Sequence, residues 1–177
     1  MSRTEIVIFS AITVFMIWFS WKISLKEKRY HGVSRFFSFE SNALLFILNY
    51  GIWFENPISF HQVISWILLI GSAVFAIIGF TLLSKRGDSI GNFENTSHLI
   101  TTGTYKFIRH PMYLSLLFLG FGIMLKHPTL VTWILAFINM IAVYITAKIE
   151  EKEMILKFGK EYRDYMRNTK MFIPYIF

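Results

Sequence analysis

Leu99-Ile100-Thr101-Thr102-Gly103-Thr104-Tyr105-Lys106-Phe107-Ile108-Arg109-His110-Pro111-Met112-Tyr113 follows the long apolar run Val63–Leu83 and leads into another, Met112–Leu125. A connection between two membrane segments needs only a short polar loop. This one holds a glycine turn, two tyrosines, an arginine, a histidine and a proline. Proline is favoured at the first position of a helix, where its missing N–H is no loss, so a helix is expected to start at Pro111. The free N–H groups of such a start, with Arg109 beside them, form a natural carboxylate site. Taken alone, Arg109-His110-Pro111 reads equally well as the polar edge of a membrane span.

Outward from this stretch, apolar segments cover Ile6–Trp21, Phe36–Phe54, Val63–Leu83, Met112–Leu125 and Leu130–Ala147. Crossing a hydrocarbon layer of roughly 30 Å takes about 20 helical residues, which the first, second, third and fifth segments supply. The fourth reaches only about 21 Å at 1.5 Å per residue, so it extends upstream or stops short. Lys126-His127-Pro128 then turns it into the fifth segment, making a helical hairpin. The first segment reads as a retained span rather than a signal peptide. Its apolar run is long, Trp21-Lys22 follows it, and it ends without a small-x-small cleavage site.

The composition agrees: 54% of the 177 residues are hydrophobic, 18% aromatic and 16% charged, where a soluble domain carries about 25% charged residues. Cysteine is absent, which excludes disulfides, thiolate nucleophiles and cysteine-ligated metals. The net charge of +7 comes from basic residues concentrated in Lys22–Arg35, Lys85–Arg109 and Lys148–Lys170, with Arg3 and Lys126 elsewhere. Five crossings place all three clusters on one side, which the positive-inside rule makes cytoplasmic. The N-terminus is then outside and the C-terminus cytoplasmic. This asymmetry accounts for the charge without a nucleic-acid partner, and no nucleic-acid-binding signature is present.

Beyond Ala147, Met154, Ile155, Phe158, Tyr162, Tyr165 and Met166 recur at three- and four-residue intervals opposite charged positions. That spacing predicts an amphipathic helix at the membrane interface, weakened at Gly159. Ser84–Ser97, rich in glycine and asparagine, reads as a connection; its sequon Asn95-Thr96-Ser97 falls on the expected cytoplasmic side. The expected fold is therefore an all-α integral membrane protein with about five transmembrane helices and a cytoplasmic C-terminal amphipathic helix. It forms one domain, residues 1–177: three N-terminal spans (1–83), a cytoplasmic loop (84–111), the hairpin (112–147) and the C-terminal segment (148–177).

A second polar feature is Glu150-Glu151, placed where the fifth apolar run stops. Acids at membrane depth require partners and mark function; at a helix end exposed to water they are ordinary solvated charges. Gly120-Phe121-Gly122, Gly71-Ser72-Ala73 and Gly79 fit close helix packing. His31, His61 and His127 are scattered, without metal-binding spacing, so no metal is expected. No nucleophile elbow is present.

Leu99–Tyr105, Arg109–Tyr113, Glu150-Glu151, Phe158–Tyr165 and Ile173-Pro174 together resemble the isoprenylcysteine carboxyl methyltransferase family, which is related to the membrane phospholipid methyltransferases. The resemblance covers about residues 97–174. It implies a membrane enzyme that uses S-adenosylmethionine, enclosed between the last two spans and the C-terminal segment, to methylate a lipophilic acceptor. Carried over residue by residue, it places cofactor contacts on Ser97, His98, Leu99, Ile100, Tyr105, His110, Pro111, Met112, Tyr113 and Glu150. Arg109 is expected to act on acceptor or cofactor charge, and Glu151 to orient or deprotonate the acceptor. One departure stands out: enzymes that methylate a prenylcysteine carboxylate are expected to carry arginine where this chain has Thr146. The acceptor thus stays open among a carboxylate, a phospholipid amine and similar groups, as does the oligomeric state. A sterol-reductase-like NADPH oxidoreductase and a non-catalytic membrane scaffold are the alternatives.

Overall fold

The structure is a computed structural model that describes residues 1–86 and 97–176, apart from the side chains of Glu27 and Arg86. Most of the expected Ser84–Ser97 connection, including Asn95 and Thr96 of its sequon, lies outside the described residues. The regular secondary structure is helical: α1 (Arg3–Ile23), α2 (His31–Asn49), α3 (Phe60–Arg86), α4 (Pro111–Met124), α5 (Leu130–Phe158) and α6 (Lys160–Asn168). Short 3-10 turns occupy Leu25–Glu27, Tyr50–Ile52 and Gly103–Lys106. The caps follow from local chemistry. Ser2 accepts from the Glu5 amide at 3.2 Å and Glu5 accepts in return from the Ser2 amide at 2.7 Å, a reciprocal cap that starts α1. Thr129 and Thr132 close the start of α5 in the same way.

Among the described residues, α1, α3 and α5 are long and apolar enough to cross a membrane. They expose broad apolar faces, including Val14, Phe15 and Trp18 on α1, Ile67, Ile70 and Ile77 on α3, and Ile134, Ile141 and Ile145 on α5. Faces of that extent in water mark association or aggregation sites; against lipid tails they are at home. The chain is an integral membrane protein built on an all-helical bundle.

The second apolar segment is displaced from its expected bounds. Its helix starts at His31 rather than Phe36 and ends at Asn49 rather than Phe54. It also carries Ser34, Arg35, Ser38, Ser41, Asn42 and Asn49 buried inside the bundle. α2 uses those groups to bind its neighbours. Ser38 Oγ and Asn42 Nδ2 donate to Asn139 Oδ1 at 2.6 and 3.1 Å, and Asn139 Nδ2 donates to the Leu116 carbonyl at 2.9 Å. One buried amide thereby ties α2, α4 and α5, the kind of interhelical hydrogen bonding that membrane bundles use as glue.

α4 is the shortest apolar helix, 14 residues from Pro111 to Met124, so upstream extension is excluded. It packs against α3, α5 and α2. Ser65 and Ser72 on α3 donate to the Gly122 and Ser115 carbonyls at 2.7 and 2.8 Å. Gly79 abuts Met112, and Gly122 abuts Leu69, so the small residues do set the close α3–α4 approach. α5 continues past Ala147 without a break, carrying Glu150 and Glu151 inside one helix as far as Phe158. Gly159, at φ +58°, then interrupts it, and α6 restarts at Lys160 with Tyr162 and Tyr165 buried.

Candidate functional site

Gly103 begins the site. Its φ of +64° is in the left-handed region that favours glycine, and a Cβ there would also push on the Leu82 side chain at 2.7 Å. The turn that follows brings Tyr105 inward, where Tyr165 donates its hydroxyl to the Tyr105 carbonyl at 2.6 Å. The C-terminal tail then pairs with the chain just before α4. Lys170 N–H donates to the Phe107 carbonyl at 3.2 Å, Arg109 N–H to that of Lys170 at 2.8 Å, and His110 N–H to that of Met171 at 3.2 Å. Pro111 starts α4 in the position where it loses no hydrogen bond.

These connections enclose a cavity of about 280 Å³, near the lower end of the range for small-molecule sites. Leu99, Ile100, Tyr105, Arg109, His110, Met112, Tyr113 and Glu150 line it. Ser97, His98, Pro111 and Glu151 do not. The cavity wall also contains residues the sequence did not single out as site residues: Phe19 of α1 and Arg35 and Phe39 of α2. Met154, Phe158, Tyr162 and Tyr165, recognised above as one helical face, complete the side formed by α5 and α6.

Arg109 and Glu151 are brought together, but as partners of each other. Arg109 Nε lies 2.7 Å from Glu151 Oε1, with both side chains buried. The same guanidinium donates to the carbonyls of Met166 and Thr169. Glu151 also meets Lys148 Nζ at 3.4 Å and His110 Nε2 at 3.6 Å. This arrangement is a clamp between the α4 start, α5 and the tail, engaging Arg109 Nε and Nη1 and both Glu151 oxygens. Glu150 differs. It is a quarter exposed, faces the cavity, and holds its Oε2 3.7 Å from His110 Nδ1. His110 stacks on Tyr113 with ring centroids 5.4 Å apart, and among the described residues its buried Nε2 makes no hydrogen bond, with Glu151 Oε1 lying 3.6 Å away.

Tyrosine hydroxyls surround the charge. Burial, reinforced by the Glu150 carboxylate and then by Tyr165, pushes the Tyr105 phenol far above its usual range. Burial followed by Glu150 and Glu151 does the same to Tyr162. Both remain protonated donors at neutral pH and are poor bases.

Thr146, the position of the expected arginine, is buried in the α2–α5 seam. Its hydroxyl lies 2.8 Å from Ser34 Oγ and 2.6 Å from the Ala142 carbonyl.

Comparison with known proteins agrees with this architecture. Residues 60–161 match the phospholipid methyltransferase family, more than half of the chain. The chain belongs to that family. Curated relatives include methanethiol S-methyltransferase 1 of Bradyrhizobium diazoefficiens, 29% identical over 108 residues, which cover 54% of this chain and 36% of that protein. The methanethiol S-methyltransferase of Pseudomonas deceptionensis is 33% identical over 70 residues, 40% of this chain and 26% of the relative. That of Crocosphaera subtropica is 24% identical over 180 residues, 99% of this chain and 62% of the relative. The chain thus matches less than two thirds of each relative's length. No solved structure matches it significantly. The family makes the chain a membrane methyltransferase, and nothing in it supports the reductase or scaffold alternatives.

Proposed function

We propose that this protein transfers a methyl group from S-adenosylmethionine to an acceptor that enters the cavity at the cytoplasmic membrane surface. The observation that carries this reading is Glu150, a carboxylate set in a wall of aromatic side chains beside His110. The donor set suits the cofactor: Glu150 offers a counter-charge to a cation, Tyr105, Tyr113 and Tyr162 offer aromatic faces, and His110 sets its ring in the wall beside Glu150. When bound, S-adenosylmethionine supplies an electrophilic methyl carbon.

The residues of this chain do the rest. Glu150 and His110 hold the cofactor's polar groups; Leu99, Ile100, Met112 and Tyr113 enclose it; the tail pairing at Phe107–His110 keeps water out. Ser97, His98 and Pro111 contribute as the backbone flanking that wall. Arg109 and Glu151 act as positioning residues, fixing the α4 start against α5. Positioning of two reactants in a dry site is the main catalytic resource for such a displacement.

In this reading α2 and α4 join α1, α3 and α5 as membrane helices, giving five crossings with the basic clusters and C-terminus cytoplasmic. The segments 1–83, 84–111, 112–147 and 148–177 then work as one domain, and α6 lies amphipathically at the interface. Methanethiol, the acceptor in the relatives' names, makes a small thiol the first acceptor to try, beside membrane lipids.

The test is incubation of the purified chain with methyl-labelled S-adenosylmethionine, methanethiol and a membrane lipid extract. Protein-dependent label in one product is expected. Absence of label in every acceptor fraction contradicts the proposal.

A further inference from the structure

A second cavity, of about 920 Å³, lies across α4 from the one described above. Met112, Tyr113 and Leu116 of α4 line the first. Leu117 and Phe121 line the second, together with Phe75 of α3, Ile141 and Tyr144 of α5 and Ile173 of the tail. Among the described residues its lining is wholly apolar or aromatic. α3 and α5 each pack on α4, so α4 forms the floor of a groove between them. Ile141 and Ile173 are exposed, which leaves the groove open toward the bilayer. Methyl transfer in the first cavity makes no use of it.

Length and charge together point to one occupant. Along α5 the groove runs from Trp133 to Tyr144, about 17 Å at 1.5 Å per residue. That is the depth of one leaflet, half of a hydrocarbon core of roughly 30 Å. A partner's membrane-crossing helix would need the full thickness, whereas a lipid tail needs one leaflet. Lys148 stands one helical turn beyond Tyr144, exposed, with its Nζ 5.7 Å from the Tyr144 ring centre and 3.4 Å from Glu151 Oε2. Arg109 already pairs with Glu151 at 2.7 Å, so among the described residues the Arg109–Glu151–Lys148 group carries one surplus positive charge. Exposed Lys170 lies in the tail at the same end, the end that the proposed topology makes cytoplasmic.

We infer that this groove binds an anionic phospholipid of the cytoplasmic leaflet, with an acyl chain lying along α4 between α3 and α5 and the headgroup phosphate at Lys148. The apolar lining shelters the chain as lipid tails would, and the surplus cation at the mouth attracts a negative headgroup. The site is separate from the cavity that holds Glu150, and its occupancy is measurable without methyl transfer.

The test is native mass spectrometry of the full chain, stripped of lipid in detergent and then given equal amounts of dioleoyl phosphatidylglycerol and dioleoyl phosphatidylcholine. One retained phosphatidylglycerol per chain is expected, preferred about five-fold over phosphatidylcholine, the effect of one lysine near an anionic headgroup. Ile141→Trp fills the groove and is expected to cut retention about ten-fold. Ile138→Trp changes an exposed isoleucine of the same helix outside the groove and is expected to keep the lipid. Lys148→Gln is expected to erase the preference between the two lipids, and Lys148→Arg to preserve it. Thermal midpoints in the same detergent identify the variants that fold, and the wild-type comparison of the two lipids stands without them. No retained lipid, equal retention of both lipids by the wild type, equal losses in Ile138→Trp and Ile141→Trp, or an undiminished preference in Lys148→Gln overturns the inference. A dimer that Ile141→Trp abolishes overturns it too, by giving the groove to a second copy of the chain.

Discussion

Arg109 holds Glu151 at 2.7 Å in a buried pair and also donates to two carbonyls near the tail. Removing one partner of such a pair strands a buried charge, which costs about 3–5 kcal/mol. Arg109→Ala is therefore expected to lower the thermal midpoint in detergent sharply. Glu150→Gln keeps the volume and leaves that clamp intact, so its expected effect is on cofactor affinity, with the midpoint nearly unchanged. The raised phenols of Tyr105 and Tyr162 carry a pH consequence with a definite sign. The unfolded chain loses a tyrosine proton near pH 10 while the folded chain retains it, so stability is full below about pH 10 and falls above it. Tyr105→Phe is expected to flatten that decline in alkaline thermal melts.

At the level of elements, the bundle depends on close approach around Asn139. A Cβ on Gly120 would lie 2.4 Å from Asn139 Nδ2 and 2.9 Å from Asn42 Oδ1. Gly120→Ala is expected to destabilise the fold by about 1–3 kcal/mol through overpacking, whereas Gly51→Ala, with nothing within 4 Å, serves as the neutral control in the same melt. The tail supplies the other joint. Truncation after Asn168 removes the carbonyl partners of the Arg109 and His110 amides, and loss of cofactor binding is expected. These elements also show what a sequence reveals. The hairpin, Pro111 and the Tyr162–Tyr165 face were legible because each leaves a periodic or turn signature. The tail pairing was not, since backbone hydrogen bonds at residues 107–110 and 170–171 leave no side-chain pattern. The α2 contribution was hidden as well: a hydropathy reading starts the segment at Phe36 and assigns Arg35 to the basic loop, although one helical turn of context turns it inward.

For the molecule as a whole, α1, α3 and α5 present apolar faces to lipid while the charge network Arg109–Glu151–His110–Glu150 gathers near one end of the bundle. Lys126, in the hairpin turn between α4 and α5, donates to Gln62 near the start of α3 at 3.0 Å. The proposed topology places those two ends on opposite sides of the membrane. Because the chain has no cysteine, single cysteines report this directly. In sealed inside-out vesicles an impermeant maleimide is expected to label Lys152→Cys but not His127→Cys; the reverse pattern contradicts the orientation. The family fixes methyl transfer as the chemistry, and the cavity between the aromatic wall and Glu150 is where the account places it. The most direct measurement is calorimetric titration of S-adenosylmethionine into the purified chain in nanodiscs, alongside Glu150→Gln. Saturable one-site binding by the wild type, weakened about ten-fold or more in the variant by loss of a counter-charge, is the predicted result. No binding, or equal binding by both, would contradict the placement of the cofactor in this cavity.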